Sequence, residues 1–341
     1  MTTNTAAWLE KDGAALSIGP ASYPTPESDQ IVVRTRAAAI NPVDGYIQTM
    51  GLKLFNFMKY PTVLGSDAAG EVVEVGSDVT TFKKGDRVTG LCFGWALGKF
   101  EQGGFQTYSV LTSSMTAKIP DDMSFADAST IPLGLTTAAC GFYQEEYLDL
   151  PYPTLSPAPT GKTLLIWGGA SSVGCCAIQL AVSSGYEVIT VASPKNFELL
   201  KSIGATDVFD YNSPTVNEDV IAAFSSREFG GALAIARGCL SKVFAVVQKL
   251  EGNRFVASAA HLEDGVVVPD GIGYKFIFAT RLPRDVVGPA VFNSFLTDAL
   301  AKGKFAIVPE ARIVGHGLDK VQEALDTILE GVSATKLVVT L

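Results

Sequence analysis

Residues 162–181 read KTLLIWGGASSVGCCAIQLA, a short apolar run followed by a turn of small residues and a segment with helical apolar spacing. The run at 163–167 ends at Gly168, as a buried parallel strand does. The segment that starts at Val173 ends near Gly185, a residue that favours helix termination. A strand, a tight turn and a helix in this order direct backbone N–H groups and the positive end of the helix dipole to one point, where a pyrophosphate binds.

The turn departs from the G-x-G-x-x-G dinucleotide fingerprint at one position. It reads GASSVG at 169–174, so that a serine stands where the middle glycine is expected. A match of this kind also occurs wherever a helix packs closely on a strand, so its interpretation depends on the segments that follow. The residues that we assign to dinucleotide binding in this turn are Gly169, Ser171, Ser172 and Val173.

The following segments alternate between strands and helices. Strands are predicted at 187–192 and 207–211, an amphipathic helix at 197–203 between them, and a further strand at 254–258. This β-α-β-α-β order with short connections is typical of one half of a nucleotide-binding parallel sheet. The sequence therefore predicts an α/β fold with a doubly wound parallel sheet.

The end of the second predicted strand carries Ser193, Pro194 and Lys195 but no acidic residue. In NAD-binding proteins an acid at this point accepts hydrogen bonds from the ribose, and its charge would repel a 2′-phosphate. A hydroxyl and an ammonium group attract that phosphate instead. We therefore predict NADP(H) as the cofactor; the alternative is that Lys195 is a solvated lysine in a turn, as most single lysines are.

Composition and charge limit the function classes. Of the 341 residues, 47% are hydrophobic and 18% are charged, which is the balance of a folded protein with two domains. The net charge of −9, without any basic block, argues against nucleic-acid binding. Since no apolar stretch reaches membrane-spanning length and the N-terminus lacks signal-peptide features, we expect a cytoplasmic protein that has no membrane partner.

The cysteines and histidines do not form a metal-binding pattern. The five cysteines are scattered and the two histidines are isolated in the sequence. Zinc sites use several such ligands at short, defined spacings, and no C-x-x-C pair is present. The sequence therefore predicts no metal site.

The N-terminal part of the chain is predicted to be rich in β-strands. The segments 31–37 and 70–76 alternate apolar and polar residues, and glycines and prolines interrupt the sequence throughout. This pattern indicates a β-barrel-like domain. Two helical segments are predicted next, at 123–131 and 136–143, separated by residues 132–134.

The C-terminal part contains a predicted helix at 291–301 and a closing strand at 336–341. We expect this tail to return to the first domain, which makes that domain discontinuous. The predicted domains are a catalytic domain of residues 1–135 and 301–341 and a nucleotide-binding domain of residues 136–300.

Four further segments resemble the medium-chain dehydrogenase/reductase superfamily, and the similarity covers nearly the whole chain. Residues 39–46, AINPVDGY, resemble the N-P-x-D segment of its quinone oxidoreductase branch. Residues 64–72, LGSDAAGEV, match its G-x-D-x-x-G-x-V segment, and residues 85–88, GDRV, match a conserved turn of the superfamily. Residues 333–339, SATKLVV, match the C-terminal S-G-K-x-V motif, with alanine and threonine replacing part of it. The resemblance implies a Rossmann doubly wound parallel sheet and a GroES-like β-barrel catalytic domain.

A narrower resemblance concerns the adenosine end of the nucleotide site. Residues 192–197, ASPKNF, together with FDY at 209–211, are similar to the fungal enoyl reductase group. That group includes stand-alone reductases that act in trans on polyketide synthases. The resemblance implies that the adenosine phosphate pocket is lined by Ser193, Lys195, Asn196 and Tyr211.

Zinc-dependent members of the superfamily carry an early cysteine and a later G-H-E segment. In this chain Asn41 and Asp44 lie in the first segment, and Gly-Ser-Asp at 65–67 replaces the second. The four-cysteine structural lobe is also missing. The resemblance therefore implies the zinc-independent branch, which reduces polarised C=C bonds: NADPH delivers a hydride to the β-carbon of an α,β-unsaturated carbonyl compound, and the protein stabilises the resulting enolate.

Tyr46 is the leading candidate for donating a hydrogen bond or a proton to that enolate. The alternatives are that water protonates the enolate and that Tyr46 simply packs in a loop. Asn41 is expected to order the nicotinamide ribose or the substrate, or else to form a turn before proline. The other residues that the resemblance implies at the cofactor are Pro42, Thr136, His261 and Lys336. Thr136 could cap a helix instead of or in addition to this role, His261 could be structural, and Lys336 could be solvated.

Three functions remain open from the sequence. The first is an NADPH-dependent enoyl or quinone reductase that acts on free molecules, with fungal secondary metabolism as a candidate setting. The second is a trans-acting enoyl reductase that docks on a polyketide synthase carrier domain, and the third is a non-catalytic, nucleotide-binding regulatory protein. The segments 52–60 and 91–100 are apolar and aromatic, which favours a hydrophobic small-molecule or acyl substrate, although a core role explains them equally well. Both a monomer and a homodimer are compatible with the sequence.

Overall fold

The computed structural model describes residues 3–341, including every side chain apart from those of residues 280 and 281. Its strands, in chain order, are β1 (Asn4–Leu9), β2 (Ser17–Ala21), β3 (Gln30–Ala39), β4 (Thr62–Val63), β5 (Asp67–Val75), β6 (Arg87–Leu91), β7 (Tyr108–Thr112), β8 (Thr116–Lys118), β9 (Lys162–Trp167), β10 (Glu187–Ala192), β11 (Asp207–Asp210), β12 (Glu228–Ala234), β13 (Phe255–Ser258), β14 (Gly273–Phe276), β15 (Glu310–His316) and β16 (Thr335–Thr340). Its α-helices are α1 (Pro42–Leu54), α2 (Gly94–Leu97), α3 (Phe125–Ser129), α4 (Pro132–Tyr143), α5 (Ser172–Ser183), α6 (Phe197–Ser202), α7 (Val216–Ala223), α8 (Leu240–Val247), α9 (Thr297–Ala301) and α10 (Val321–Glu330). Among these residues no helix has the length and apolar character needed to cross a lipid bilayer.

The chain divides into two compact units. Unit 1 contains Met1–Leu133, Phe292–Gly303 and Ile307–Leu341, and unit 2 contains Gly134–Val291 and Lys304–Ala306. The first boundary lies close to the one predicted, but the segment 292–303 belongs to unit 1 rather than to the nucleotide-binding part. The reason is local bonding: Asn293 Nδ2 donates to the backbone oxygens of Ser113 and Thr116, at 2.9 Å and 2.7 Å.

Unit 2 contains the predicted doubly wound parallel sheet. Its six strands lie in the order β11-β10-β9-β12-β13-β14, and every neighbouring pair is parallel. The chain therefore starts in the middle of the sheet at β9, moves to one edge and then returns to build the other half. The carboxyl ends of β9 and β12 are neighbours at the point where the strand order reverses, which is where open α/β sheets bind ligands.

Apolar side chains explain why β9 lies in the centre of this sheet. Residues 163–167 are all buried, as expected for a strand that is covered on both faces. On one face Leu165 and Trp167 belong to a core that includes Val243 and Phe244 of α8. Burial of each such side chain stabilises the fold by about 1.5–3 kcal/mol.

Unit 1 is built on largely antiparallel sheets, although β15 and β16 pair in parallel. A seven-stranded sheet has the order β15-β16-β3-β5-β6-β8, with β7 paired to β3, and a three-stranded sheet has the order β2-β1-β4. The C-terminal strand β16 pairs antiparallel with β3, with Val338 opposite Ala39. This pairing brings the C-terminal residues next to the start of α1.

Two helices differ from the sequence prediction. Residues 132–134 were expected to separate two helices, but α4 begins at Pro132. Proline is favoured at the first helical position, because the N–H that it lacks would have no partner within the helix there. The late helix expected at 291–301 is a π-helix over Pro289–Leu296 that continues as α9. Thr297 Oγ1 donates to Phe292 O at 3.1 Å, five residues earlier, which supports the wider turns.

Candidate functional site

The start of α1 in unit 1 carries a buried polar group of side chains. Asn41 precedes Pro42 in an extended conformation, which the proline favours and which places Asn41 outside the helix. Its backbone N–H donates to Asp44 Oδ2 at 2.9 Å. Ser66 Oγ, from the segment before β5, donates to Asp44 Oδ1 at 3.1 Å. Both carboxylate oxygens of Asp44 therefore accept a hydrogen bond from a group within unit 1.

Asp67, the first residue of β5, connects this group to the C-terminal strand. Its Oδ2 accepts from Asn41 Nδ2 at 2.8 Å and lies 3.0 Å from Lys336 Nζ. Its Oδ1 accepts from the backbone N–H of Leu133 at 2.6 Å. Lys336 Nζ also donates to Asn41 Oδ1. Hence Asn41, Asp67 and Lys336 bind one another pairwise, and the Lys336 side chain that the sequence assigned to the cofactor is only 4% exposed.

This arrangement satisfies a pair of charges that would otherwise be costly. The Asp67 side chain is fully buried, and removing an ion from water costs several kcal/mol even inside real proteins. The cost is tolerated when each oxygen and each ammonium proton finds a partner of good geometry. The network therefore fixes the Asn41 amide, with its nitrogen toward Asp67 and its oxygen toward Lys336.

Asp44 is the titratable group of this cluster whose environment favours the neutral form. Burial and, to a smaller extent, the nearby Asp67 charge raise the pKa of Asp44 to about 7, against the opposing effects of the Asn41 N–H, Ser66 and Lys336. When Asp44 is protonated its O–H needs an acceptor, and the Ser66 hydroxyl can reverse its direction to supply one. The Asp44–Ser66 pair can therefore hold a proton near neutral pH.

Cys92 is a thiol beside the same carboxylates. Its backbone N–H donates to Ser66 O at 2.9 Å. Burial, together with the charges of Asp67 and Asp44, holds the pKa of the Cys92 thiol well above its usual value. In the described residues, no three His, Cys, Asp or Glu side chains are grouped as metal ligands would be.

Tyr46 does not join the buried cluster. It lies on α1 two positions after Asp44, which turns it by about 200° around the helix axis. Asp44 is fully buried, whereas Tyr46 is 38% exposed. The Tyr46 hydroxyl and the Asp44–Ser66 pair are therefore on different sides of the helix, and Pro42 is exposed as well.

The predicted phosphate turn in unit 2 has the close packing that its small residues allow. Gly168 has a φ of +108°, a conformation that side chains rarely adopt. A Cβ on Gly174 would lie 2.3 Å from Gly168 O, so the helix can approach the strand only with glycine there. Ser171 caps α5: its Oγ accepts from Gly174 N at 3.0 Å and donates to Gly168 O at 2.8 Å. The Ser171 side chain is thus engaged in the turn itself, while Ser172 and Val173 are half-buried.

Thr136, on α4, has an unusual hydroxyl. The residue is fully buried, and its Oγ1 has no hydrogen-bond partner within the described part of the chain. A buried hydroxyl without a partner costs about 1–3 kcal/mol, so such groups call for an explanation. A polar ligand that reaches Thr136 would remove this cost, which fits the predicted role of Thr136 in cofactor binding.

The structure brings together two of the four residues predicted at the adenosine phosphate. In the parallel sheet Ala192 of β10 is paired with Asp210 of β11, so the residues that follow are neighbours. Ser193 Oγ donates to the Tyr211 hydroxyl at 3.2 Å. Lys195 is exposed on the same connection after β10, and Asn196 is buried. A hydroxyl pair with an ammonium group nearby fits a phosphate ester.

His261, which the resemblance also implies at the cofactor, lies three residues after the end of β13. Its ring is stacked on Phe276, with centroids 4.0 Å apart and planes at 17°, and it is exposed.

Sequence reasoning missed three participants in these sites. It treated Asp44 and Asp67 only as parts of motifs, although their position in the N-P-x-D and G-x-D segments was the available signal. Lys242, whose Nζ donates to Tyr211 O at 3.1 Å, had no signal because its helix follows β12, far from Tyr211 in sequence.

The chain is similar to known proteins over its whole length. Residues 27–121, which include Asn41, Asp44, Ser66 and Asp67, match the alcohol dehydrogenase GroES-like domain family. The whole chain is 46% identical to the whole of the dehydrogenase azaJ of Aspergillus niger. It is 38% identical to the trans-enoyl reductase himH of Aspergillus japonicus, over 98% of this chain and 97% of that protein. Its fold is similar over the full length of both chains to an alcohol dehydrogenase superfamily protein from Novosphingobium aromaticivorans, with a TM-score of 0.78 and 25% identity.

Proposed function

The chain belongs to the medium-chain dehydrogenase/reductase superfamily, in its enoyl reductase-like branch, and we propose that it reduces the C=C bond of α,β-unsaturated carbonyl compounds with NADPH and without a catalytic zinc ion. In this reaction a hydride is added to the β-carbon and a proton to the α-carbon, while NADPH becomes NADP⁺. The bound cofactor supplies the hydride. What the protein itself contributes is binding, orientation, and a donor for the negative charge that develops on the carbonyl oxygen.

The observation that carries the proposal is the network of Asn41, Asp67 and Lys336. Zinc-dependent relatives have a cysteine and a histidine–glutamate pair in the segments that contain Asn41 and 66–67 in this chain. Here the Asn41 and Asp67 side chains bind one another and a buried ammonium group, so the positive charge at this point comes from Lys336. A divalent cation placed there would have to compete with that ammonium group. This supports reduction of a C=C bond rather than oxidation of a zinc-bound alkoxide.

Two features of unit 2 support NADPH as the reductant. Within the described residues, Thr136 Oγ1 is a buried hydroxyl without a hydrogen-bond partner, as expected of a residue that binds a polar ligand. At the end of β10 the side chains are Ser193 and Lys195, and the Ser193 hydroxyl is bonded to that of Tyr211. Because no carboxylate stands at this strand end, a 2′-phosphate meets hydroxyls and an ammonium group rather than a like charge.

Tyr46 remains our candidate for the donor to the carbonyl oxygen. Its exposed hydroxyl is not bound to the Asp44 cluster, so it is free to meet a ligand at the surface of unit 1. A phenol placed near the developing oxyanion would lower the barrier by hydrogen bonding or by proton transfer. Water is the alternative proton source, and the two are distinguished by replacing Tyr46.

Aromatic residues of unit 1 support a hydrophobic substrate. The segments 52–60 and 91–100 meet through their rings: the Phe55 and Trp95 centroids lie 4.8 Å apart, and Phe57 stacks on Trp95 at 6.5 Å with planes at 18°. Phe57 is nevertheless 46% exposed. An exposed aromatic cluster of this kind offers apolar area to an acyl chain or a similar small molecule.

A trans-acting role is the second candidate. It is favoured by the 38% identity to a protein named as a trans-enoyl reductase, over nearly the whole of both chains. In that role the acyl substrate is presented by a carrier domain of a polyketide synthase, within fungal secondary metabolism. The cytoplasm is the compartment we propose, and the five cysteines, which are buried and form no disulfide bond, are compatible with its reducing conditions.

Turnover of purified protein with a small enone, a quinone and an enoyl thioester tests the proposal. We expect consumption of NADPH, formation of the saturated product by mass spectrometry, slower reaction with NADH, and no loss of rate after treatment with a chelator. Faster reaction with NADH, or zinc-dependent alcohol oxidation in place of C=C reduction, would contradict it. Nucleotide binding without turnover of any substrate, including carrier-bound acyl chains, would favour the regulatory alternative. Reaction with carrier-bound acyl chains alone would select the trans-acting role.

A further inference from the structure

Lys242 lies beside the residues predicted to bind the adenosine phosphate, although it comes from a different part of unit 2. It is the third residue of α8, the helix that follows β12. Its Nζ donates to the backbone oxygen of Tyr211 at 3.1 Å. Tyr211 is at the same time bonded through its hydroxyl to Ser193 Oγ. Tyr211 therefore connects the end of β10, the end of β11 and α8.

The charge of Lys242 is not neutralised by a neighbouring acid. In the part of the chain that the structure describes, no carboxylate lies within 4.0 Å of its Nζ, in contrast to Lys162, whose Nζ lies 3.0 Å from Glu228. The acid nearest in sequence to Tyr211 is Asp210, and its Oδ1 accepts from the Asn212 backbone N–H at 2.9 Å and from Asn212 Nδ2 at 3.2 Å. An ammonium group has three donors, so two remain for an incoming anion.

The surroundings of Lys242 are open to a ligand. Lys242 and Lys195 are both exposed, and Tyr211 is 43% exposed. A phosphate monoester carries a charge between −1 and −2 near neutral pH and accepts several hydrogen bonds. The ammonium group of Lys242 and the Ser193 and Tyr211 hydroxyls, with Lys195 two residues after Ser193 in the chain, form a donor set that suits such an ester.

We propose that Lys242 is a second cation for the 2′-phosphate of NADP(H), in addition to Lys195, and that it increases the preference for the phosphorylated cofactor. This inference rests on the NADP(H) binding proposed above. The Lys242 ammonium group would contact the phosphate directly, and its bond to the backbone oxygen of Tyr211 holds it beside the residue whose hydroxyl binds Ser193. Since the lysine is exposed, its replacement is expected to leave the fold intact.

Calorimetric binding of adenosine 2′-monophosphate and adenosine 5′-monophosphate to the full-length protein tests the role of Lys242 without turnover. A hydrogen bond to a charged group contributes about 1.5 kcal/mol or more, so we expect Lys242→Ala to weaken binding of the 2′-phosphate by about tenfold. Binding of the 5′-phosphate should change much less. Lys242→Arg, which keeps the charge, should restore most of the affinity. Lys249→Ala is the matched control, because Lys249 is an exposed lysine just beyond the other end of α8.

The outcomes separate this inference from the proposed function. If the unmodified protein binds NADH as tightly as NADPH, the proposed cofactor itself is wrong. If it prefers NADPH and Lys242→Ala changes the affinity for neither adenosine monophosphate, the inference fails while the proposed cofactor stands. Equally weakened binding of both monophosphates would also overturn the inference, because it would mean that Lys242 only holds Tyr211 in position.

Discussion

Lys336 Nζ lies 3.0 Å from Asp67 Oδ2, and both side chains are almost completely removed from solvent. The two residues come from β16 and β5, which are not neighbours in the seven-stranded sheet, since β3 lies between them. Both bind Asn41, which lies two residues after the end of β3. The ion pair is thus built around Asn41, and its stability depends on the presence of both charges.

Loss of the Lys336 charge should destabilise unit 1 strongly. Lys336→Met leaves the Asp67 carboxylate buried without its counter-ion, and breaking a buried pair in this way costs about 3–5 kcal/mol. Urea unfolding is expected to show a free energy of unfolding that is smaller by that amount, seen as a lower midpoint concentration of urea. The double variant Lys336→Met with Asp67→Asn should recover a large part of the loss, because no uncompensated charge remains. If the single variant is as stable as the unmodified protein, the ion pair does not have the role assigned to it.

Asp44 should make the stability of the protein depend on pH. Because its folded pKa is raised from 3.8 to about 7, the folded state binds more protons than the unfolded state between these values. The contribution of Asp44 to the free energy of unfolding therefore falls as pH rises through this window. The full shift in the pKa of Asp44 corresponds to a change of at most about 4 kcal/mol in the free energy of unfolding.

Asp44→Asn isolates that contribution. The amide can accept from the Asn41 N–H through its oxygen and donate to Ser66 Oγ through its nitrogen, so it resembles the protonated carboxyl group. The difference in free energy of unfolding between the two proteins should be small near pH 4 and should favour the variant increasingly toward pH 7. Chemical denaturation across this range measures the difference. A constant difference at all pH values would mean that Asp44 is already ionised in the folded protein.

The local sequence predicted some parts of this molecule well, for physical reasons. The strand β10 coincides with the predicted segment 187–192 because its apolar run is bounded by Gly185 and Pro194. The Ser193–Tyr211 contact follows from the parallel register of β10 and β11. The bond between Lys336 and Asn41 joins residues 295 positions apart, and no local pattern contains that information.

Other features depended on packing that periodicity does not describe. The segment 292–303 has helical spacing, but the same spacing is compatible with α- and π-turns and with either unit. The resemblance implied Lys336 at the cofactor, with a solvated lysine as the alternative because lysines are usually exposed, and the sequence did not predict that Asp67 and Asn41 stabilise its burial. The sequence indicated candidate functional residues of unit 1, whereas the contacts between them depend on the pairing of strands in the sheet.

Tyr46 is tested by removing a single oxygen. If its hydroxyl stabilises charge on the carbonyl oxygen, Tyr46→Phe should lower kcat at least tenfold in the NADPH-dependent reduction, with a smaller change in KM. Stability should be unaffected because the side chain is partly exposed and is not bonded to the buried cluster. Tyr152→Phe serves as the control, since Tyr152 is an exposed tyrosine of unit 2 outside the candidate sites. Unchanged turnover in Tyr46→Phe would leave water as the proton donor.

Ser193 tests how the cofactor is selected. Ser193→Asp places a carboxylate at the end of β10, where it repels a 2′-phosphate but accepts hydrogen bonds from the two ribose hydroxyls of NADH. We expect the Kd for NADPH to rise by more than tenfold and the Kd for NADH to fall, as measured by fluorescence titration. Ser202→Asp is the matched control, because it adds the same charge at an exposed serine at the end of α6. High salt should reduce the effect on NADPH, since the repulsion acts between partly exposed charges. Equal shifts for both cofactors would mean that Ser193 does not meet the adenosine ribose, and the preference would then have to arise elsewhere in unit 2.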